Sequence, residues 1–116
     1  MTDIVQGRIV YSLTPVSDPQ GKNPKIGRPF VVISTPEQIA NGEDLELIAI
    51  TGTITGGADE VELPYSNNKK RPSMTGLTRK SVALCGWRTS LPQKDIRIGG
   101  FVRPSELLAI LVIVGK

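Results

Sequence analysis

Gly27-Arg28-Pro29-Phe30-Val31-Val32-Ile33-Ser34 is the stretch that decides the fold. A glycine and a proline bracket one arginine, and an unbroken aromatic and β-branched run follows. With no polar alternation, Phe30 to Ile33 reads as a strand buried on both faces. Arg28 stands where a loop becomes that strand. A rigid strand fixes the base of the side chain there, which suits a cation that must hold a phosphate. A second apolar run, Leu47-Ile48-Ala49-Ile50-Thr51-Gly52-Thr53, ends in a hydroxyl. Its placement predicts that Arg28 and Thr51 face one pocket.

Outward from these two runs, the chain is a succession of short strands. Gln6 to Leu13 is the first, with Ile9, Tyr11 and Leu13 alternating against Arg8, Val10 and Ser12. Thr14 to Ile26 is a long loop carrying Pro15, Asp18-Pro19, Gly21 and Asn23-Pro24. Loops of this length are often functional. Lys22 and Lys25 lie on it, so it reads either as a basic flap over an anionic chain or as a tolerated surface loop. Phe30 to Thr35 is the second strand. Pro36 to Ala40 is a short helical turn behind a Ser or Thr cap, with Glu37 near its positive end. Leu45 to Thr51 is the third strand. Gly52 to Asp59 is a glycine- and threonine-rich turn whose N–H groups, those of Gly52 and Thr53 among them, can meet a phosphate. It lacks the lysine and the spacing of a nucleotide-binding P-loop.

Glu60 to Tyr65 is the fourth strand, with Val61, Leu63 and Tyr65 on one face. Ser66 to Gly76 is a polar loop holding Lys69-Lys70-Arg71, either a solvated patch or a nucleic-acid contact. Ser81 to Cys85 is the fifth strand, ended by Gly86-Trp87-Arg88-Thr89. Trp87 reads as a core plug or as a face on which a base stacks, and Trp87 and Arg88 are both candidate substrate contacts. Asp95 to Arg103 is turn-rich, with one small strand around Ile96-Arg97-Ile98. Pro104-Ser105-Glu106 opens a helix. Leu107 to Val114 is then almost wholly apolar, and a second subunit is the natural cover for such a helix in a small protein. The β-branched Val112-Ile113-Val114 leaves a strand open for the last residues. The sum is one domain over 1–116, mainly β: a small closed or half-closed barrel of about five strands with a C-terminal helix.

Composition narrows the chemistry. The 116 residues are 39% hydrophobic and only 4% aromatic, so the core is built from Val, Ile and Leu. Twelve glycines and nine prolines argue for strands and turns over a helical bundle. There is no histidine, which excludes a histidine base, a Ser-His-Asp triad and a His-ligated zinc. Cys85 is the only cysteine, which excludes an internal disulfide and thiolate–imidazole metal clusters. No metal site and no cofactor are expected. The start, Met1-Thr2-Asp3-Ile4, carries no charged leader and no apolar signal core. The longest apolar run, Leu107 to Val114, is far short of the roughly 20 residues that span a bilayer. The expectation is a cytoplasmic protein with no membrane contact. Net charge is +3, unevenly spread: Glu37 to Glu62 holds seven acids and no bases, and from Leu63 onward ten bases face two acids. A basic half suits a polyanionic partner.

Taken in order, Gly7-Arg8-Ile9-Val10, the long loop, Gly27 to Ser34, Leu47 to Thr51, Gly76-Leu77, Ser81-Val82-Ala83-Leu84 and Arg88-Thr89 resemble the MazF/PemK (Kid) family of toxins from type II toxin–antitoxin systems. The resemblance spans nearly the whole chain. It implies an SH3-like barrel that forms a homodimer and a metal-independent endoribonuclease that cuts single-stranded RNA at short motifs. It also implies that Arg28 and Thr51 carry the chemistry, that the 14–26 loop gates an RNA channel, and that a cognate antitoxin occupies the same groove. Operator DNA is implied only as a partner of the toxin–antitoxin complex. RNA supplies its own nucleophile, the 2′-hydroxyl, so the protein needs only proton transfer and charge stabilisation. Two departures stand out. Some relatives carry an acid, an amide or an arginine where this chain reads Ala83-Leu84-Cys85-Gly86-Trp87, which leaves the general base unassigned and an inactive binding module as the alternative. The chain also ends Val114-Gly115-Lys116, without the Trp-Gly-Ile tail of the CcdB-type gyrase inhibitors that share the fold.

Overall fold

The computed structural model describes residues 4–18 and 20–116. Met1 to Asp3, and Pro19 of the expected long loop, lie outside the described residues. Among the described residues six strands and two helices follow one another: β1 (Arg8–Ser12), β2 (Pro29–Val32), α1 (Pro36–Ala40), β3 (Leu45–Thr51), β4 (Glu60–Leu63), β5 (Ser81–Leu91), β6 (Ile96–Phe101) and α2 (Pro104–Val114), with a 3-10 turn at Gln93–Asp95. The strands form one antiparallel sheet in the order β4-β5-β3-β2-β1-β6.

The two-sided burial read from Phe30 to Ile33 is what the sheet shows. All four side chains are fully buried. Val31 and Ile33 join one core with Ile9, Ile48 and Ile50. Phe30 and Val32 join the other with Val10, Leu45, Leu47 and Ala49. Helix α2 covers the first core through Ile110 and Val114. Ile39 of α1, Ile96 of β6 and the flank of Trp87 cover the second. Because β1 is also covered on both faces, its residues do not divide into one buried and one solvent row. Ile9 and Val10 are both fully buried, and Leu13 is exposed. Ser12 is buried for a different reason: its hydroxyl and its backbone both bond to the Gly27-Arg28 segment, as described below.

Strand β5 is longer than its sequence suggests. It runs through Gly86 to Leu91 and bends there. Ala49 of β3 faces Leu84, but its neighbour Ile48 faces Arg88, so Cys85-Gly86-Trp87 bulge out of the ladder. An odd number of extra residues reverses the alternation. Cys85 therefore points into the first core and Trp87 packs on the second. The sixth strand extends the short segment around Ile96-Arg97-Ile98 as far as Phe101. The free edge of β6 meets the loop that follows β4. Phe101 N donates to Met74 O at 2.9 Å. Gly100 permits this approach, since a Cβ there would stand 2.2 Å from Met74 O. Thr75, fully buried, anchors the same loop by donating its hydroxyl to Pro64 O at 2.7 Å. The barrel thus closes through a loop contact rather than a strand pair.

The helix ends follow capping chemistry. Thr35 and Gln38 form a reciprocal capping box at α1. The last residues remain helical to Val114, so the strand alternative there does not occur. At the start of α2, the nearly buried Glu106 accepts from the Arg103 backbone N at 3.0 Å and from the Arg103 guanidinium at 2.7 Å. The Arg103 side chain, ahead of the other hydrogen bonds, holds the Glu106 carboxyl below the usual glutamate range despite burial. A folded-state pKa below the unfolded one adds stability above the ordinary glutamate pKa, and that stability is lost as pH falls through the folded value. Glu106→Gln is therefore expected to lower Tm at about pH 7 and to lower it less at about pH 3. Equal losses at both pH values would count against this role for the ion pair.

Candidate functional site

Arg28 is placed by backbone chemistry on either side of it. Gly27 adopts a left-handed φ of +83°, which turns the chain out of the loop and into β2. Gly27 N donates to Ser12 O at 2.7 Å, Ser12 N donates to Arg28 O at 3.0 Å, and Arg28 N donates to the Ser12 hydroxyl at 3.0 Å. With its backbone pinned, the Arg28 side chain reaches over the sheet edge. Its Nε donates to Val16 O at 2.6 Å and Nη2 donates to Asn23 O. The guanidinium lies 5.4 Å from the centroid of the Trp87 ring, within cation–π range.

Two adjoining cavities of about 670 and 610 Å³ open at this point. Lys25, Arg28, Thr51, Thr53 and Trp87 line both, so they form one groove with two halves. The placement of Arg28 and Thr51 in one pocket, expected from the ends of two apolar strands, holds. Gly52 lines the first half only. Thr51 accepts from Thr53 N at 3.1 Å, an arrangement that orders the turn leaving β3. Trp87 packs one flank on the second core, and its ring also lines the groove.

Two expected contacts are not brought to the groove. Lys22 is exposed and outside the lining residues, and its backbone N donates to Asp18 Oδ1 at 2.8 Å. Arg88, past the β5 bulge and opposite Ile48, lies outside the groove lining. Its Nη2 donates to Val114 O at 2.6 Å, where it satisfies a carbonyl at the negative end of α2. The Lys69-Lys70-Arg71 run is exposed and also lies outside the groove lining.

Other groove residues went unread. Arg79 and Lys80 line the first half, and Asp18 and Glu60 line the second. The two carboxylates organise backbone. Asp18 accepts from Gln20 N, Lys22 N and Asn23 Nδ2 at 2.8–3.1 Å, and the Lys22 N–H does most to hold its carboxyl below the usual aspartate range. Glu60 accepts from the Thr55 hydroxyl at 2.7 Å and from Thr55 N and Gly56 N, and the Thr55 hydroxyl leads in depressing its pKa. Asp18 also begins a small hairpin: Val16 and Lys25 exchange backbone bonds at 3.0 and 3.1 Å, and Asp18 N donates to Lys22 O at 2.7 Å. The described residues of the 14–26 loop thus form a ribbon tied to Arg28 through Val16 and Asn23. Cys85 is buried, and that burial pushes its thiol pKa up. Among the described residues no group of three or more His, Cys, Asp or Glu could hold a metal ion, and no helix is long and apolar enough to cross a membrane.

No protein-family model and no curated protein matches the sequence. Solved structures do. MazF from Deinococcus radiodurans superposes with a TM-score of 0.70 at 18% identity, over 99% of this chain and 96% of that one. The fold is that of the MazF toxins. The Mycobacterium tuberculosis toxin MazF-mt6 matches at a TM-score of 0.66 and 20% identity, over 90% of this chain and 91% of that one. A mycobacterial endoribonuclease in complex with its cognate antitoxin matches at 0.69 and 13% identity, over 97% and 91% of the two chains. The MazF fold confirms the barrel expected from the sequence and carries the groove described above.

Removing the Asp18 carboxylate tests the ribbon. Asp18→Ala is expected to speed amide hydrogen exchange at Gln20 and Lys22 while Tm stays nearly unchanged, because the bonds of this half-buried carboxylate are local. Unaltered exchange in that segment would show that the ribbon holds without it.

Proposed function

We propose that this protein is the toxin of a type II toxin–antitoxin pair and cleaves single-stranded RNA without a metal, by attack of the 2′-hydroxyl on the adjacent phosphate. The observation that carries the reading is the meeting of Arg28 and Thr51, from the ends of two different strands, in one groove of a MazF-fold barrel. The naming of similar structures as MazF toxins and as an endoribonuclease with its antitoxin supports it.

In this reaction negative charge grows on the non-bridging phosphate oxygens. A guanidinium has five N–H donors and stays protonated. Arg28 commits Nε–H and one Nη2–H to loop carbonyls and keeps three for the phosphate. The two carbonyl bonds also fix the plane of the fork, so little reorganisation is needed as charge develops. The Thr51 hydroxyl bonds the phosphate or orients the 2′-hydroxyl. Lys25 adds positive charge and Gly52 an N–H donor beside it, while the Thr53 N–H orders the Thr51 hydroxyl. The Trp87 ring offers a face to a base. The groove's two carboxylates are each spent on several N–H or O–H donors, which makes them weak bases. The cognate antitoxin takes the same groove, and cytoplasmic RNA is the substrate.

Purified protein is expected to cut an unstructured RNA in excess chelator. Arg28→Ala should lower kcat/KM by about 100-fold or more, the scale of losing a transition-state charge donor. Cleavage that appears only on adding a divalent metal would sink the mechanism, and tight RNA binding without cleavage would favour a binding module instead.

The homodimer belongs to the same proposal. Leu108 and Val112, one turn apart on α2, are 64% and 70% exposed, and Ile113 is 42% exposed. A second copy would cover this apolar face. Sedimentation is expected to show a dimer at micromolar concentration and a monomer for Val112→Glu. A monomeric parent protein would contradict it.

A further inference from the structure

We infer that Arg79 is a second phosphate-binding side chain, which holds the RNA backbone in the half of the groove away from Asp18 and Glu60. The inference rests on the RNA-cleaving reading and adds a residue to it.

The groove is polarised. Its halves share Lys25 and Arg28, but Arg79 and Lys80 line only the first half and the two carboxylates line only the second. A polyanion crossing the groove is therefore drawn to the first half and repelled from the second. Within that half, Arg79 differs from Arg28 and Lys80 in what its donors already do, and from Lys25, whose ammonium is also unpartnered among the described residues, in its planar fork. Arg28 is tied to Val16 O and Asn23 O. Lys80 sits 3.9 Å from a Glu62 carboxylate oxygen. Among the described residues, the Arg79 guanidinium has no hydrogen-bond or ion-pair partner, so all five of its N–H donors are open.

Its position is also set by the site. A Cβ built on Gly52 would stand 3.6 Å from Arg79 Nε and 3.7 Å from Cζ. The guanidinium thus rests directly against the bare backbone of the turn that follows Thr51. A phosphate held there lies beside Gly52, the residue that follows Thr51, on the strand that Arg28 and Thr51 engage. Arg79 is placed to bind and register that strand, with no part in proton transfer.

The test uses the intact protein with a cleavable RNA and with its all-2′-deoxy counterpart, which binds but lacks the nucleophile. Arg79→Gln and Arg79→Lys are compared with Arg71→Gln, a loss of the same charge outside the groove. For Arg79→Gln, KM should rise by about tenfold with kcat changed far less. The slope of log K against log salt for the deoxy strand should fall in magnitude by about 0.7, one single-strand phosphate contact. Arg79→Lys should restore the slope but only part of the affinity, since an ammonium lacks the planar fork. Arg71→Gln should change neither. Unchanged affinity and slope in a folded Arg79→Gln, or an equal change in Arg71→Gln, overturns the assignment while leaving the nuclease reading intact. A wild-type protein that neither binds nor cuts RNA overturns both.

Discussion

Everything in this barrel follows from the burial of β2 and β3 on both faces. Four consecutive side chains, Phe30 to Ile33, have no exposed surface. Removing one of them, Phe30 for example, would cost on the order of 3–5 kcal/mol, a large share of what a domain of this size has in hand. Two-sided burial demands two covers from only 116 residues. One is α2. The other is assembled from α1, β6 and the bent half of β5. β5 serves both cores only because Cys85-Gly86-Trp87 breaks its alternation. The bulge that completes the second core is the same feature that brings Trp87 to the groove.

The groove is therefore a by-product of packing as much as a designed pocket. Strands β2 and β3 leave their shared core at one edge, and the residues there, Arg28 and Thr51, are the first that need not be apolar. Ser12 ties β1 to the same junction through three hydrogen bonds. The junction is rigid because its donors and acceptors are internal to the sheet, so Arg28 extends from a fixed base. Its guanidinium then does two things at once. It holds the loop ribbon through Val16 and Asn23, and it faces the Trp87 ring. Loop position and arginine orientation cannot vary independently.

The sequence made legible whatever depends on local periodicity. The unbroken run of β2, the Pro-Ser-Glu opening of α2 and the strand-end positions of Arg28 and Thr51 all survive intact in three dimensions. What failed to show depends on contacts distant in the chain. Arg88 looked like a groove residue because it follows Trp87, yet the bulge sends it to Val114, 26 residues away. The length of β5 was hidden by Gly86, which normally punctuates a strand. Arg79 carries no local signal beside the denser Lys69-Lys70-Arg71 run, and charge density does not say which way a loop faces. The ribbon of the long loop had a signal that could have been used: Asp18 followed by Gly21 and Asn23 is the composition of an Asx-type turn.

The same contrast explains why net charge is a poor guide here. A value of +3 is small, and the acids between Glu37 and Glu62 nearly cancel the bases that follow. Folding separates them unequally. Glu106 is consumed by Arg103 and Glu46 by Lys116 at 2.6 Å, both far from the groove in role. Asp18 and Glu60 do reach the groove, but their lone pairs face backbone N–H groups, and their charge sits in one half only. What a polyanion meets in the other half is Lys25, Arg28, Arg79 and Lys80 with no carboxylate among the lining residues. Four cations along one wall, with the Arg79 guanidinium resting against the fixed Gly52 turn, set a local field that net charge does not report.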